Sequence, residues 1–149
     1  MKACPWCGRN NLDSDEYCFN CERDLNAVPD ALPALAVAAC FAEGETRLVN
    51  VPQARLKETD RIRVMREELS GMGASIEELP DGLVVRRSSL RGCSLRGHGD
   101  HRVVMALSVA GLAAEGVTEV DTAESVAVTF PGFLGLMRGA GADILETEE

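Results

Sequence analysis

Two nearly apolar, alanine-rich stretches place the strongest constraint on how this chain folds. They are ALPALAVAACFAEG (31–44) and HRVVMALSVAGLAAEG (101–116), and each ends in Glu-Gly. Apolar residues on most faces of a helix indicate burial on most sides, so both stretches are predicted to be buried helices. For the first helix, Asp30 is the expected N-cap and Gly44 the expected C-terminal cap.

The sequence after the first apolar stretch predicts a strand, a second helix and a hairpin. TRLVNV (46–51) has strand character. Apolar residues then recur at steps of three and four, which predicts an amphipathic helix ending near Gly73; they are Ile62, Met65, Leu69 and Met72. ASIEEL (74–79) and LVVRR (83–87) flank Pro80-Asp81-Gly82 and predict a β-hairpin.

The second half repeats this order. VTEVDT (117–122) is a predicted strand, and Phe130-Pro131-Gly132-Phe133 opens a predicted helix with Pro131 in its first turn. GAGADILE then echoes the earlier GMGASIEE. The glycines pair as Gly44 with Gly116 and Gly73 with Gly141, a period of about 70 residues. The predicted fold is of the α+β or α/β class: two α/β units, at about 28–90 and 91–147, with their buried helices side by side beneath the sheets.

Residues 1–25 carry a separate signal in four cysteines, Cys4, Cys7, Cys18 and Cys21. Two C-x2-C knuckles close a tetrahedral thiolate site, which predicts structural zinc, with iron as the second candidate. A disulfide is the alternative, which a reducing cytosol disfavours. The segment resembles a rubredoxin-like zinc ribbon, and NAVPD (26–30) is a hinge to the α/β domain at 26–149. No organic cofactor is expected.

Charge and hydropathy limit the class of partner and the location. The 149 residues carry a formal net charge of −9, which argues against general nucleic-acid binding. No 18-residue apolar run is present, and the start MKACPWCGRN has no signal-peptide core, so a cytoplasmic location is expected.

Against this acidic background, two helix starts are rich in charge. Within nine positions the first contains Arg55, Lys57, Glu58, Asp60, Arg61 and Arg63, and the second is Asp100-His101-Arg102. Arginines are mildly disfavoured at a helix N-terminus unless an anion lies among them. The pattern predicts a site for a multiply anionic substrate. The alternative is a solvated surface on which Asp60 and Asp100 simply cap their helices.

These motifs resemble one enzyme family. RLKETDRIRVMREEL, GDHRVVMALSVAGLA, TFPGF and PDALPALAVAACFAEG together resemble the C-terminal part of 3-phosphoshikimate 1-carboxyvinyltransferase, also called EPSP synthase. The resemblance implies a fold of two domains, each with three βαβαββ units, of which this chain would supply the last two units of the second domain. It also implies phosphoenolpyruvate and shikimate 3-phosphate as substrates.

The implied reaction adds a shikimate hydroxyl to phosphoenolpyruvate and then eliminates phosphate, so it needs an acid, a base and cations. By resemblance, Asp30 handles the hydroxyl proton, Glu58 takes part in proton transfer at the methylene carbon, and Lys57 contacts the phosphate. Arg61 and Arg102 match the arginines that bind phosphoenolpyruvate, with His101 beside them. The alternatives are that Asp30 only caps its helix and that Glu58 and Arg61 only form an intrahelical ion pair.

Three departures bear on activity. The N-terminal half of the family is absent, Val128 stands where many members carry a lysine, and the ribbon occupies the place of the preceding enzyme segment. We therefore expect a portion of an EPSP synthase that is inactive without an N-terminal domain from another chain. The alternatives are a non-catalytic anion-binding or interaction module that docks through the ribbon, and a truncated or fused remnant.

Overall fold

The computed structural model describes residues 1–3, 9–12 and 27–148. The cysteines of the predicted ribbon, Cys4, Cys7, Cys18 and Cys21, lie outside these residues. Before residue 27, the described elements are two short antiparallel strands, β1 (Lys2–Ala3) and β2 (Asn10–Asn11). The candidate functional residues of the α/β domain all lie in the continuous range 27–148.

Helix α1 spans Ala27–Phe41 and begins earlier than the sequence predicts. Pro29 fits its first turn because the N–H that proline lacks has no partner there. Asp30 therefore lies inside the first turn, and its prediction as the N-cap is wrong. Gly44 lies three residues beyond the helix end with a φ of +75°, so it leads into the next strand rather than capping α1.

A three-stranded antiparallel sheet has the strand order β3–β5–β4. Its strands are β3 (Glu45–Leu48), β4 (Ser75–Leu79) and β5 (Gly82–Arg86). The predicted hairpin is confirmed as β4 and β5, joined by the two-residue turn Pro80-Asp81. The central strand β5 has four consecutive buried residues, Gly82, Leu83, Val84 and Val85, as expected for an apolar run between two neighbouring strands.

Helix α2 spans Arg61–Gly71, after a 3-10 helix at Pro52–Leu56. Its N-cap is Asp60, whose carboxylate accepts a hydrogen bond from the backbone N–H of Arg63 at 3.1 Å. Ile62, Met65 and Leu69 are completely buried on one face. The predicted amphipathic helix is therefore confirmed.

The second half reproduces the first only in part. Its elements are β6 (Ser94–Leu95), α3 (His101–Ala113), β7 (Glu119–Val120), a 3-10 helix at Ala123–Ser125, α4 (Val126–Thr129) and α5 (Phe133–Gly139). β6 and β7 pair in parallel over two residues each. Pro131 precedes Gly132, the N-cap of α5, so its predicted place in the first turn is wrong.

No strand follows α5 within the described residues up to 148, although GAGADILE echoes a segment that forms one. The carbonyl of Ile144 instead accepts a hydrogen bond from Nε of Arg138 at 2.7 Å. The Ile144 side chain packs on a small cluster formed by Val104, Val126 and Phe133. These contacts tie the segment to helices rather than to a neighbouring strand.

Helices α1 and α3 pack side by side, and α2 contacts both. Both helices leave large apolar side chains partly exposed: Leu35 and Phe41 on α1, and Val109 and Leu112 on α3, are 39% to 42% exposed. Within the described residues, the other elements cover one side of each helix, so the predicted burial on most sides is reached only in part. Within the described ranges, no helix combines the length and apolarity that a bilayer crossing requires.

Replacing Gly82 with alanine is expected to destabilise the sheet. A Cβ at Gly82 would lie 1.8 Å from the carbonyl oxygen of Leu48, so β3 and β5 would have to move apart. We expect the free energy of unfolding, measured in urea, to fall by about 1–3 kcal/mol.

The matched control is Gly71→Ala at the end of α2, where a Cβ would meet nothing within 4 Å. This change should be neutral or stabilise by up to about 1 kcal/mol, since alanine costs less entropy than glycine in a helix. Equal losses in the two variants would contradict the close approach of β3 to β5.

Candidate functional site

The N-terminal ends of three helices meet at one charged cluster. α1 contributes Asp30, α2 contributes Arg61 with Lys57 and Glu58 just before it, and α3 contributes Asp100 and Arg102. We call these six residues the Arg61 cluster. Unpaired N–H groups give helix N-termini a partial positive charge, so their convergence favours anions.

Arg61 is the centre of the cluster, and its side chain is only 1% exposed. Its Nε donates to Oδ2 of Asp100 at 2.8 Å, and its Nη1 donates to Oδ1 of Asp30 at 2.9 Å. Its Nη2 donates to Oε2 of Glu58 at 2.6 Å and to Oδ1 of Asp100 at 3.1 Å. Four of the five N–H groups of the guanidinium are thus used by carboxylates, and one on Nη1 remains.

Asp100 is fully buried beside Arg61. Its carboxylate also accepts from the Thr59 hydroxyl at 3.1 Å and, as the N-cap of α3, from the backbone N–H of Arg102 at 3.0 Å. Burial raises the pKa of Asp100, but the hydrogen bond and charge of Arg61, helped by those two donors, outweigh it and lower the pKa. Both members of the buried pair are therefore held in their charged forms.

The pKa of Arg61 moves in the complementary direction. Burial lowers it, but the hydrogen bonds to Asp100 and the charges of Asp100, Glu58 and Asp30 raise it above its ordinary value. An arginine with three carboxylate partners cannot lose its proton at any ordinary pH. Its charge is a permanent part of the site.

Asp30 is the carboxylate on which the three predicted cations converge. Its oxygens lie 3.3 Å from Nζ of Lys57, 2.9 Å from Nη1 of Arg61 and 3.7 Å from Nη2 of Arg102. Partial burial raises the pKa of Asp30, but the hydrogen bond from Lys57 and the charges of Lys57, Arg102 and Arg61 lower it overall. Unlike Arg61, the Lys57 and Arg102 side chains are 30% and 42% exposed, so a solute can reach them.

The cluster is balanced in charge. Its cations are Lys57, Arg61 and Arg102, and its anions are Asp30, Glu58 and Asp100. From the sequence alone, the basic residues predict the site and Asp100 is only a possible cap. Asp100 was nevertheless the available signal, since an acid directly before His-Arg at a helix start can both cap the helix and pair with a second arginine.

Other predicted residues turn away from the cluster. Arg55 connects the loop before α2 to the β4–β5 hairpin. It donates hydrogen bonds to the carbonyls of Leu79 and Pro80 and forms ion pairs with Asp60 and Glu78. Arg63 also lies away from the cluster: it is exposed, and its Nε lies 3.9 Å from Oε1 of Glu67. Of the three arginines in the first basic stretch, only Arg61 therefore belongs to the cluster. Partial burial lowers the pKa of Arg55, but the hydrogen bonds and charges of Glu78 and Asp60 raise it overall.

Two further positions named in the sequence analysis, His101 and Val128, are not part of the Arg61 cluster. His101 is the first residue of α3 and is half-buried, and its ring has no hydrogen-bond partner among the described residues. Val128, at the position of the family lysine, lies on α4 and is 85% exposed. In the described ranges, no group of three or more His, Cys, Asp or Glu side chains is arranged to hold a metal ion.

An apolar groove of about 360 Å³ between α1 and α3 adjoins the cluster. Asp30 and Arg102 line it where the two helices begin, and Val37, Met105 and Val109 line it further along. The charged cluster and the open apolar face are therefore parts of one continuous surface.

Removing the carboxylate of Asp100 should destabilise the fold strongly. Asp100→Ala removes the fully buried carboxylate that accepts from Nε and Nη2 of Arg61, so two buried N–H groups of the guanidinium lose their acceptor and only the partly exposed Asp30 and Glu58 still face the charge. We expect a loss of about 3–5 kcal/mol in the free energy of unfolding, measured by urea titration at pH 7. Arg63→Ala is the control, since it breaks only an exposed pair and should cost less than about 1 kcal/mol. Similar costs for the two variants would mean that the buried pair does not hold the helices together.

Comparison with known proteins identifies relatives of one kind. Residues 11–137 match the family model of EPSP synthase (3-phosphoshikimate 1-carboxyvinyltransferase). The 3-phosphoshikimate 1-carboxyvinyltransferase of Acetivibrio thermocellus is 65% identical over 127 residues, which is 85% of this chain. That of Methanocaldococcus jannaschii is 48% identical over 122 residues, which is 81% of this chain.

Solved structures give the same result for the fold. An EPSP synthase from Acinetobacter baumannii superimposes with a TM-score of 0.78 at 36% identity and covers 81% of this chain. The chain spans only 30% of the A. thermocellus protein, 28% of the M. jannaschii protein and 29% of the A. baumannii chain. Over the residues matched, the chain belongs to the EPSP synthase family and has its fold.

Proposed function

We propose that this chain is the C-terminal portion of an EPSP synthase, which transfers the enolpyruvyl group of phosphoenolpyruvate to shikimate 3-phosphate. The observation that carries the proposal is the meeting of Lys57, Arg61 and Arg102 around Asp30, at the N-termini of three helices. These positions coincide with the charged positions of the family motifs.

The accessible cations, Lys57 and Arg102, take the larger part in holding the phosphate and carboxylate of phosphoenolpyruvate. Arg61 has four N–H groups committed to carboxylates, so it offers the substrate at most the remaining N–H on Nη1. Its main task is then to orient Asp30 and Glu58, which are the two proposed proton-transfer groups. His101, the first residue of α3 and the neighbour of Arg102, is proposed as a positioning residue.

The proposed proton chemistry follows from the ion pairs. Asp30 is ionised and weakly basic while Lys57 and Arg102 face it, because their charges lower its pKa. A phosphorylated substrate would draw these two cations towards itself and so return basicity to Asp30, which then accepts the hydroxyl proton. Glu58 is half exposed and hydrogen-bonded to Arg61 at 2.6 Å, so a solute can reach it. Its role in proton transfer at the methylene carbon is proposed from the family resemblance.

The balance of charge supports a need for further cations from outside this chain. Three carboxylates already offset the three cations of the Arg61 cluster, so a substrate with a phosphate and carboxylates meets no net positive charge here. Water also screens the exposed Lys57 and Arg102 while the site stays open. We therefore propose that an N-terminal domain from another chain supplies the missing cations and excludes water, with the two repeated units forming one side of the site.

The apolar groove between α1 and α3 supports the same partner. Two large apolar side chains that line this groove, Phe41 and Val109, are each 42% exposed. Exposed apolar faces next to a charged site mark interaction surfaces. The rest of an EPSP synthase, which makes up more than two thirds of the relatives, is the proposed covering element.

A second candidate function is a non-catalytic anion-binding module with the zinc ribbon as a docking element. It is favoured by the fact that Lys57, Arg61 and Arg102 meet within this one chain. The two candidates differ in what the rest of an EPSP synthase does when added: it creates turnover in the first case and not in the second.

Structural zinc remains part of the proposal. Four thiolates from Cys4, Cys7, Cys18 and Cys21, as two C-x2-C pairs, are a donor set that suits tetrahedral Zn²⁺ and leaves no open position for catalysis. The ion would supply folding energy to residues 1–25 and no step of the reaction.

The complementation test uses a curated relative. In the A. thermocellus enzyme, the 127 matched residues are replaced by those of this chain, and phosphate release is assayed with shikimate 3-phosphate and phosphoenolpyruvate. We expect turnover by the chimaera and none by this chain alone. Turnover that survives Lys57→Ala in the chimaera, or turnover by the isolated chain, would contradict the proposal.

Calorimetry tests the anion site in the isolated chain. We expect phosphoenolpyruvate to bind weakly and Arg102→Ala to reduce the affinity by about tenfold or more, since a charge-assisted contact contributes roughly 1.5–3 kcal/mol. Arg138→Ala, an arginine bonded to a carbonyl away from the cluster, is the control and should leave the affinity unchanged. The site is misplaced if the two variants behave alike.

Metal analysis tests the ribbon. We expect the purified chain to carry about one zinc ion per molecule and Cys18→Ser to lose it, because three thiolates hold zinc less tightly than four. The control is Cys93→Ser, a cysteine outside the two pairs, which should keep the metal. Retention of zinc by Cys18→Ser would contradict the predicted ligand set.

A further inference from the structure

The loop that leads into α3 is held by side chains rather than by a backbone ladder. The N–H of Arg96 donates to Oε2 of Glu68 at 3.0 Å, and that of Gly97 donates to Oδ1 of Asp121 at 2.7 Å. The N–H of Gly99 donates to Oγ1 of Thr122 at 3.0 Å. The loop 96–99 therefore owes its shape to groups on α2 and on the segment after β7.

Glu68 holds this loop with both oxygens. While Oε2 accepts from Arg96, Oε1 lies 2.8 Å from Nε2 of His98. The side chains of Glu68 and His98 are 12% and 25% exposed, although His98 as a whole residue is exposed. An ionised carboxylate only accepts hydrogen bonds, so Nε2 of His98 carries the proton in this contact.

The loop has a backbone conformation that needs such support. His98 and Gly99 have φ values of +56° and +67°. Gly99 adopts a positive φ freely, but a residue with a Cβ does so only at an energetic cost. The Glu68–His98 contact stabilises the one residue of the pair that is strained.

The loop leads directly into the Arg61 cluster. Asp100 follows Gly99 directly, and its carboxylate binds Nε and Nη2 of Arg61. Glu68 lies seven residues after Arg61 on the same helix, which is two turns along one face. α2 therefore contacts the start of α3 at two points: Arg61 binds Asp100, and Glu68 accepts a hydrogen bond from the loop before α3.

We propose that Glu68 and His98 form a latch that positions Asp100 and Arg102 for the site, and that they are positioning residues rather than catalytic ones. The latch sets where α3 begins relative to α2, and so sets the direction of the Asp100 carboxylate and of the Arg102 side chain. This inference deepens the proposed function and rests on it for its consequence in anion binding.

The test follows the Arg61 Nε–H signal by NMR in the ligand-free full chain, together with phosphoenolpyruvate affinity by calorimetry and stability in urea. Glu68→Ala should shift or broaden the Arg61 signal and weaken phosphoenolpyruvate binding by about tenfold, as expected for the loss of hydrogen bonds to a charged group. Glu68→Gln should restore most of both, because its amide oxygen accepts from Arg96 and its NH₂ can donate to the other tautomer of His98.

A second variant guards against simple unfolding. His98→Asn tolerates a positive φ but is too short to repeat the contact, so the fold should persist while the Arg61 signal changes. The double variant Glu68→Ala/His98→Asn should be no worse than Glu68→Ala, since the two residues act through one contact. Glu67→Ala, at the exposed neighbouring position on α2, should change neither the Arg61 signal nor the affinity for phosphoenolpyruvate.

The outcomes separate this inference from the proposed function. An Arg61 signal and an affinity unchanged in Glu68→Ala would overturn the latch, even if phosphoenolpyruvate binds. Failure of the unmodified chain to bind phosphoenolpyruvate would count against the proposed anion site. In that case the ligand-free Arg61 signal still decides whether Glu68 and His98 position Asp100.

Discussion

The buried guanidinium of Arg61 is the interaction on which the rest of this structure depends. It donates hydrogen bonds to three carboxylates: Asp30 in the first turn of α1, Glu58 in the loop before α2 and Asp100, the N-cap of α3. Taking one arginine and one aspartate out of water costs several kcal/mol per ion, and only near-complete pairing offsets that cost. The three helix starts are thus held in one arrangement, since moving any of them takes an acceptor away from the buried N–H groups of Arg61.

The same interaction limits what the site can do alone. Because the carboxylates of Asp30, Glu58 and Asp100 use most of Arg61, the cations that a substrate can reach are Lys57 and Arg102 at the rim. An exposed pair of cations beside a carboxylate is a modest anion site in water. The small share of its relatives that this chain spans, and the apolar groove open beside that site, support the proposal that the cluster forms one side of a larger site.

Much of the fold could be predicted from local pattern. The helix after Asp60 and the hairpin around Pro80-Asp81 follow from periodicity and turn chemistry, which act over a few residues. Predictions failed where the outcome depends on distant contacts. GAGADILE forms no strand in the described residues because Arg138 donates a hydrogen bond to Ile144 and the Ile144 side chain packs on the cluster that contains Phe133. Helix α1 starts earlier than predicted because a proline such as Pro29 is tolerated in the first turn.

By itself, the sequence determined the elements of the first unit, the family motifs and the set of charged residues that share the site. Only the tertiary structure decided their pairing. Arg55 and Arg61 stand six residues apart in the same basic stretch, yet one staples a hairpin and the other is buried among three carboxylates. Spacing along the chain fixes where a side chain starts. Which partner it reaches depends on the helix or strand that packs against it, because a buried charge is tolerated only where opposite charges from other elements meet it.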